Sequence, residues 1–130
     1  MLNKILCVDD DPITLMLCKK VIAKANFSTV IESAKDGIEA LKFFDSNKDD
    51  QEDEDYPQII FLDLNMPIMD GWEFLEEFNN FKELFPHTKI IVLSSSVDPK
   101  DINKSKNYSM VLDFLPKPIT VEMLNNIKYE

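Results

Sequence analysis

The sequence predicts an α/β fold in which one doubly wound, five-stranded parallel sheet lies between helices on both faces, giving three layers. Short apolar runs, typical of strands buried on both faces, alternate five times with segments of helical periodicity. Two of the helical segments begin with an Asp-Pro pair, Asp11-Pro12 and Asp98-Pro99, which combines a capping side chain with proline at the first helical position. Right-handed crossovers between successive strands then make the sheet parallel.

The predicted strands and helices follow one another along the whole chain. The strands are Lys4–Val8, Ser28–Ser33, Ile59–Leu62, Ile90–Leu93 and Val111–Leu115. The helices are Pro12–Ala25, Ile38–Phe44, Trp72–Phe85, Lys100–Asn107 and a short last helix capped by Thr120. Helical spacing predicts that the first helix buries Thr14, Leu17, Cys18, Val21 and Ala25. The fourth helix is nearly all polar, which predicts an element that buries little surface and opens at a low free-energy cost.

Length and charge narrow the class of protein. With 130 residues the chain is long enough for a substantial core, and we expect a single domain over residues 1–130. The net charge is −10 and all fourteen basic residues are lysine, which argues against direct binding of nucleic acid. There is no apolar run of membrane-spanning length and no signal peptide, so we expect a cytoplasmic protein with no membrane partner.

Two local features of the composition have simple structural interpretations. Six of the seven residues in Asp49–Asp55 are acidic, and such a run is usually a solvated connection, which leaves any further role open. Cys7 and Cys18 fall in apolar stretches of the first strand and first helix, without metal-ligand or disulfide spacing. We expect both cysteines to behave as small buried hydrophobic residues.

Polar side chains stand where four of the predicted strands end. In chain order they are Asp9 and Asp10 after the first strand, Asp63 after the third, Ser94 after the fourth and Lys117 after the fifth. Ligands of doubly wound sheets bind at the carboxyl ends of the strands, so we expect these residues to line one crevice. Helix capping explains Asp11, but it explains neither Asp9 nor Asp10.

This set of groups suits the acceptance of a phosphoryl group. A carboxylate such as Asp63 can act as a nucleophile and form an aspartyl phosphate. Three carboxylates at one site repel one another unless a cation lies among them or their pKa values rise. Mg²⁺, which prefers oxygen ligands and keeps several waters, is the expected ion, and Mn²⁺ can substitute for it. The Lys117 ammonium and the Ser94 hydroxyl would hold the phosphoryl oxygens.

The same residues, taken with their neighbours, resemble the receiver domain of two-component response regulators. The segments that carry the resemblance are Val8–Pro12, Asp63–Gly71, Ser94 and Lys117-Pro118, and they occur in the order typical of that family. The similarity covers essentially all 130 residues, and we expect no output domain after the last helix. It implies a flavodoxin-like sheet with the strand order 2-1-3-4-5.

The resemblance implies a role for each carboxylate of the crevice. Asp63 is the phosphoacceptor, and it takes the phosphoryl group from the phosphohistidine of a histidine kinase or a histidine-phosphotransfer protein. Asp10 and Asp63 bind Mg²⁺ through their side chains, and Asn65 binds it through its backbone carbonyl. Asp9 contacts the ion mainly through water. The domain is then a signalling phospho-switch that catalyses only its own phosphorylation and dephosphorylation, within a two-component pathway or phosphorelay.

The resemblance also implies a conformational switch. Ser94 turns toward the phosphoryl group, and Phe114, which has no hydroxyl, moves inward by steric burial alone. Lys117 binds the phosphoryl group and is expected to form a cis peptide bond with Pro118. The switched surface comprises the fourth helix, the fifth strand and the fifth helix. It would bind a downstream protein, either as a monomer or as a phosphorylation-dependent dimer.

Two apolar residues of the first helix suggest where a phosphodonor docks. Ile13 and Met16 project onto the same side of the helix as Lys20 and Lys24, next to the acidic cluster. Scattered apolar residues are normal on protein surfaces, so a surface without a partner remains the alternative.

Three other classes of protein stay open from the sequence. A phosphatase or mutase of the haloacid dehalogenase type needs an acid two residues after its aspartate nucleophile, where this chain has Asn65. A receiver that binds partners without phosphorylation would be expected to lack Asp10, Asp63 or Lys117, and all three are present. A flavin-binding protein of similar sheet order has no use for paired aspartates after its first strand. The sequence identifies neither the cognate kinase nor the target.

Overall fold

A computed structural model of the protein describes residues 4–28, 30–45 and 56–127. Five strands alternate with five helices, namely β1 (Ile5–Val8), α1 (Pro12–Lys24), β2 (Ile31–Ala34), α2 (Gly37–Asp45), β3 (Ile59–Asp63), α3 (Gly71–Asn79), β4 (Lys89–Ser94), α4 (Pro99–Ser105), β5 (Val111–Pro116) and α5 (Val121–Asn125). The strands form one sheet in the order β2-β1-β3-β4-β5, with every neighbouring pair parallel. The predicted fold class and strand order are confirmed. The acidic run Asp49–Asp55 lies outside the described residues.

The sheet is covered on both faces because its central strands are apolar at consecutive positions. All residues of β1 and of β3 are buried. Side chains on one face of the sheet, such as Leu6 and Ile60, pack with α2 and α3 in one core. Those on the other face, such as Cys7 and Phe61, pack with α1 and α5 in a second core. The two cores account for the three layers that the sequence predicts.

The register of the sheet brings the polar strand ends to one edge. Val8 of β1 pairs with Leu62 of β3, and each of these residues is followed by an aspartate. Ser94, the last residue of β4, pairs with Pro116 of β5, the residue before Lys117. The backbone N–H of Lys117 donates to the Ser94 carbonyl at 2.9 Å, which extends the pairing by one residue. β5 is an edge strand, the position in which a proline is tolerated.

α3 is shorter than the sequence predicts. It ends at Asn79 and is followed by a 3₁₀ turn, Lys82–Leu84, whereas the predicted helix continued to Phe85. Two consecutive asparagines, which are weak helix formers, stand at the point where the helix ends. The break allows the Phe85 ring to pack edge-to-face against Phe81 and against Phe44 of α2, with centroid separations of 5.8 and 4.9 Å. Aromatic packing therefore replaces the last helical turn.

The buried face of α1 also differs from the prediction. Leu17 is exposed, whereas Cys18 and Ile22 are buried and Leu15 packs partly against the same core. Positions 15, 18 and 22 follow a helical spacing as well as the predicted set does. Periodicity alone therefore could not distinguish two overlapping faces of this helix.

Several element ends shift by a few residues. β2 begins at Ile31 rather than Ser28, and the Ser28 hydroxyl donates to the Val30 carbonyl and accepts from the Val30 N–H. α4 ends at Ser105, which is its only buried residue, in agreement with a helix that buries little.

Within the part of the chain that the structure describes, none of the helices combines the length and apolar character needed to cross a bilayer.

The first turn of α3 lies directly against the end of β3. The backbone N–H of Gly71 donates to the Leu64 carbonyl at 3.0 Å. A Cβ at Gly71 would lie 2.6 Å from the Asp63 backbone oxygen and 2.7 Å from the Leu64 Cα. Both are backbone atoms at the end of the central strand, so neither can yield without moving the strand.

We expect Gly71→Ala to lower the free energy of unfolding by about 1–3 kcal/mol, because the methyl group overpacks this contact. Urea titration measures the change. Gly37→Ala is the matched control, since its Cβ would meet the Met69 side chain, with Cγ at 2.5 Å. A thioether side chain can change rotamer, so the control should stay within about 1 kcal/mol of the wild type. Equal losses in both variants would contradict the close approach assigned to Gly71.

Candidate functional site

Asp63 is the last residue of β3 and lies at the centre of the sheet edge. Asp63 is only 6% exposed. The backbone N–H of Asn65 lies 3.4 Å from Asp63 Oδ1, a long contact within the turn that follows the strand. Asn65 itself is exposed. The backbone of β3 therefore positions the Asp63 carboxylate. The loop after the strand adds one long contact to it, from the Asn65 N–H.

Three carboxylates meet at this edge. One oxygen from each of Asp9, Asp10 and Asp63 can be chosen so that all three lie within 4.8 Å of one another. Asp9 and Asp63 are buried, whereas Asp10 is exposed. Oxygen atoms at this separation, from residues of two neighbouring strands, suit a hard divalent cation such as Mg²⁺. The donor set therefore fits the predicted ion.

Asp11 has a different role from the two aspartates before it. Its side chain accepts hydrogen bonds from the Ile13 N–H at 2.9 Å and from the Thr14 hydroxyl at 3.1 Å, and so caps α1. The Ile13 N–H, followed by the Thr14 hydroxyl, lowers the pKa of Asp11 below its usual value. The acidic triplet thus divides into one helix cap and two members of the carboxylate cluster, as the sequence predicts.

Lys117 joins two of the carboxylates. Its Nζ donates to Asp9 Oδ2 at 2.6 Å and lies 3.2 Å from Asp63 Oδ1. Burial acts to lower the pKa of Lys117, but its hydrogen bond to Asp9 and the charges of Asp63 and Asp9 outweigh burial, so the pKa lies above its usual value. The ammonium therefore stays charged and bridges the carboxylates at the ends of β1 and β3. The peptide bond from Lys117 to Pro118 is cis, which confirms the expectation.

The site carries more negative charge than Lys117 neutralises. Burial, followed by the charge of Asp9, raises the pKa of Asp63 above its usual value, although Lys117 acts in the opposite direction. The attraction between Lys117 and Asp63 thus favours the charged form of both groups. At Asp63, however, burial and the charge of Asp9 have the larger effect on the pKa. Three carboxylates and one ammonium leave an excess of negative charge, which a divalent cation would offset.

The two predicted switch residues occupy different surroundings. The buried Ser94 hydroxyl donates to the Ser96 carbonyl at 2.7 Å and accepts from the Ser96 N–H at 3.2 Å, so both hydrogen bonds lie within its own loop. Phe114 is partly buried and packs against the core beneath α2 and α3. It also lines a crevice of about 320 Å³ between α4 and β5, together with Ile102 and Ser105.

The exposed side of α1 is more apolar than the sequence analysis anticipated. Ile13 and Met16 are 63% and 48% exposed, and Leu17, predicted to be a core residue, is 47% exposed. Leu17 also lines a crevice of about 220 Å³ with Pro118 and Ile119. The sequence could have indicated this surface only through the competing spacing of the buried face, at positions 15, 18 and 22.

The chain belongs to the response regulator receiver domain family, since the sequence model of that family matches residues 5–128. Receiver domains are the signalling switches of two-component systems and are not enzymes in the usual sense. Family membership, the strand order and the positions of the polar strand ends therefore agree.

Relatives of known sequence and structure support this assignment. The two-component response regulator ORR22 of Oryza sativa subsp. indica is 29% identical over 124 residues, which cover 95% of this chain but 16% of ORR22. A two-component response regulator from Cytophaga hutchinsonii superposes with a TM-score of 0.86 at 30% identity, covering 97% of this chain and 93% of that one. The Vibrio cholerae chemotaxis response regulator CheY4 superposes with a TM-score of 0.74 at 26% identity, covering 96% and 94%.

The charge balance at Asp63 leads to a pH-dependent stability. A carboxyl group whose pKa is raised by folding contributes stability below its unfolded pKa, about 3.9, and loses that contribution as pH rises through its folded pKa. In the absence of divalent cations we therefore expect Asp63→Asn to raise the free energy of unfolding at pH 7. The gain should shrink as the pH falls toward about 4.

Urea titrations of both proteins across this pH range measure the effect. Asp113→Asn, which changes an exposed carboxylate of β5, is the control and should leave the stability at pH 7 within about 0.5 kcal/mol of the wild type. Mg²⁺ should stabilise the wild type more than it stabilises Asp63→Asn. A loss of stability in Asp63→Asn at pH 7 would contradict the excess of negative charge at this site.

Proposed function

We propose that Asp63 accepts a phosphoryl group from the phosphohistidine of a histidine kinase or a histidine-phosphotransfer protein, in a reaction that uses Mg²⁺. The observation that carries the proposal is the meeting of three carboxylates within 4.8 Å, with the Lys117 ammonium in contact with two of them. Membership of the receiver family supports the same assignment. The proposal places the reaction in the cytoplasm, where the phosphodonor is formed.

Asp9, Asp10 and Asp63 are the residues that would hold Mg²⁺, and the backbone carbonyl of Asn65 would complete the set of protein ligands. When bound, the ion would offset the negative charge on the oxygens of the phosphoryl group during the transfer of that group. Asp10 is the exposed member of the cluster, so this side of the site faces solvent. The hard oxygen donors also fit Mn²⁺.

The chemical step is a displacement at phosphorus. An oxygen of Asp63 forms the new O–P bond, while the N–P bond of the phosphohistidine breaks and its electron pair passes to the imidazole, which takes up a proton. The chain contributes position and charge. β3 fixes the nucleophile, Lys117 turns part of its hydrogen bonding from Asp63 to a phosphoryl oxygen, and Asp9 keeps the ammonium in place.

In the phosphorylated state the phosphoryl oxygens place roughly two negative charges at Asp63, where the free carboxylate carries one. We assign Ser94 the role of donating its hydroxyl hydrogen to a phosphoryl oxygen, in place of its bond to Ser96. Phe114 then moves inward, and the crevice that it lines beside α4 closes or changes shape. Because α4 buries only Ser105, it is the helix that can repack most easily. The surface of α4, β5 and α5 would transmit the signal to a downstream protein, as a monomer or a dimer.

Acetyl phosphate with Mg²⁺ tests the site and its chemistry together. We expect the wild type to gain the mass of one phosphoryl group, because Asp63 can attack a small phosphodonor directly, and Asp63→Asn to gain none. Intact-mass spectrometry measures the result. Asp11→Asn is the matched control, since this residue caps α1 and should leave labelling unchanged. Labelling of Asp63→Asn, or an unlabelled wild type, would refute the proposed phosphoacceptor.

A second assay, with a simple phosphate ester as substrate, separates the proposal from the enzyme alternative. A haloacid dehalogenase-type phosphatase turns over phosphate esters steadily and places an acid where this chain has Asn65. Steady release of phosphate from a simple phosphate ester would favour that alternative. A receiver should instead take up one phosphoryl group from acetyl phosphate and release no phosphate from the ester.

We further propose that Ile13 and Met16 dock the phosphodonor protein. Both side chains are exposed on α1, and Asp11, which caps that helix, directly follows Asp9 and Asp10. The double variant Ile13→Lys and Met16→Lys should slow phosphotransfer from the partner about tenfold or more, since two apolar anchors are lost. Labelling by acetyl phosphate should be unchanged, because the small donor needs no docking surface.

Leu84→Lys is the control for an added charge at an exposed apolar position. Leu84 is 58% exposed and lies in the 3₁₀ turn before β4, at the opposite edge of the sheet. It should leave both reactions unchanged. Equal slowing of the partner reaction and of acetyl phosphate labelling in the double variant would assign the effect to the site itself and contradict docking.

A further inference from the structure

Two thiols that the phosphoacceptor site does not use lie in contact with each other. Cys7 of β1 and Cys18 of α1 are both free, and their Sγ atoms are 3.2 Å apart. The residues are 1% and 5% exposed and belong to the same core, between the sheet and the layer of α1 and α5.

The geometry is close to that of a covalent link. An S–S bond is about 2.0 Å long, so the two sulfurs need to approach by only about 1.2 Å, shared between two side chains. Cys7 stands on a strand and Cys18 on the helix packed across it, and each side chain already points at the other. The sequence analysis treated both residues as buried hydrophobic groups, because spacing along the chain does not reveal this contact.

The structure also provides a route to one of the two sulfurs. Cys18 lines the crevice of about 220 Å³ that Leu17, Pro118 and Ile119 border. Cys18 and Cys7 together line a second, smaller void, which Phe61 and Leu93 close on the side of the sheet. A small oxidant that enters the crevice therefore meets Cys18 before Cys7.

We propose that Cys7 and Cys18 form a reversible disulfide when the protein meets a peroxide. The Cys18 sulfur attacks one peroxide oxygen, an S–O bond forms, the O–O bond breaks, and the hydroxide that leaves takes the Cys18 thiol proton to give water. The Cys7 sulfur then attacks Cys18, the S–S bond forms and the S–O bond breaks. The second hydroxide takes the Cys7 proton as a second water. Two thiols are oxidised by two electrons, and one peroxide is reduced.

The cross-link would close a ring around the acidic segment. Residues 7–18 include Asp9 and Asp10, the helix cap Asp11 and the exposed residues Ile13 and Met16. Joining the end of β1 to the middle of α1 therefore restrains the segment that carries two of the three carboxylates. Disulfides inside cells are more often transient and redox-sensing than structural, which is the behaviour proposed here.

Treatment of the wild type with one to a few equivalents of hydrogen peroxide tests the proposal. After denaturation and alkylation, we expect a monomer that has lost two hydrogens and takes up no alkylating reagent at Cys7 or Cys18, with reversal by a dithiol. The folded, oxidised protein should melt roughly 5–10 °C above the reduced protein, because the ring restricts the unfolded chain.

Cys7→Ala and Cys18→Ala are the controls, since each keeps one thiol and can form no internal link. Neither should show the loss of two hydrogens or the rise in melting temperature with peroxide. The decisive comparison uses the wild type alone, before and after oxidation, so it stands even if a variant folds poorly. Two free thiols after treatment, sulfinic acid at Cys18 beside a free Cys7, or disulfides between chains would each overturn the proposal.

Discussion

The arrangement at the sheet edge depends on one electrostatic constraint, which is the crowding of three carboxylates around a single ammonium. Lys117 reaches Asp9 and Asp63 at 2.6 and 3.2 Å and so ties the ends of β1 and β3 to the segment that follows β5. One positive charge does not balance three negative charges in a mostly buried site, and the raised pKa of Asp63 reflects that imbalance. The excess of negative charge at this site therefore favours the binding of a positive ion.

The hydrophobic core makes this crowding sustainable. β3 is buried along its whole length between the two cores, so the backbone that carries Asp63 cannot retreat from its neighbours. Gly71 brings α3 against the same strand end. The free energy gained from apolar burial and close packing elsewhere in the molecule thus offsets the cost of the repulsion between the carboxylates. Sites in which charge is positioned for chemistry commonly depend on such an offset.

Much of the fold and of the site could be predicted because both depend on strong local signals. Buried strands appear in the sequence as apolar runs, and parallel strands have their carboxyl ends at the same edge of the sheet. The polar residues that follow these runs, Asp9, Asp63 and Lys117, are therefore predicted to lie together. The errors arose where two local patterns compete. Leu17 and Ile22 fit alternative helical faces, and the end of α3 depends in part on the contact of Phe85 with Phe44, which is distant in the chain. The contact of Cys7 with Cys18 likewise depends on how the helix packs on the sheet, which the local sequence does not determine.

The burial of Asp9 and Asp63 has a consequence for how the molecule experiences its ionic surroundings. Dissolved salt screens charges that water surrounds, over a distance of about 8–10 Å, but it acts weakly on groups that solvent barely reaches. Ordinary changes in ionic strength would thus change the repulsion between these two carboxylates little, while a cation bound among Asp9, Asp10 and Asp63 would relieve it directly. Bulk ionic strength and a directly bound cation would therefore act on this site in different ways, the first weakly and the second strongly.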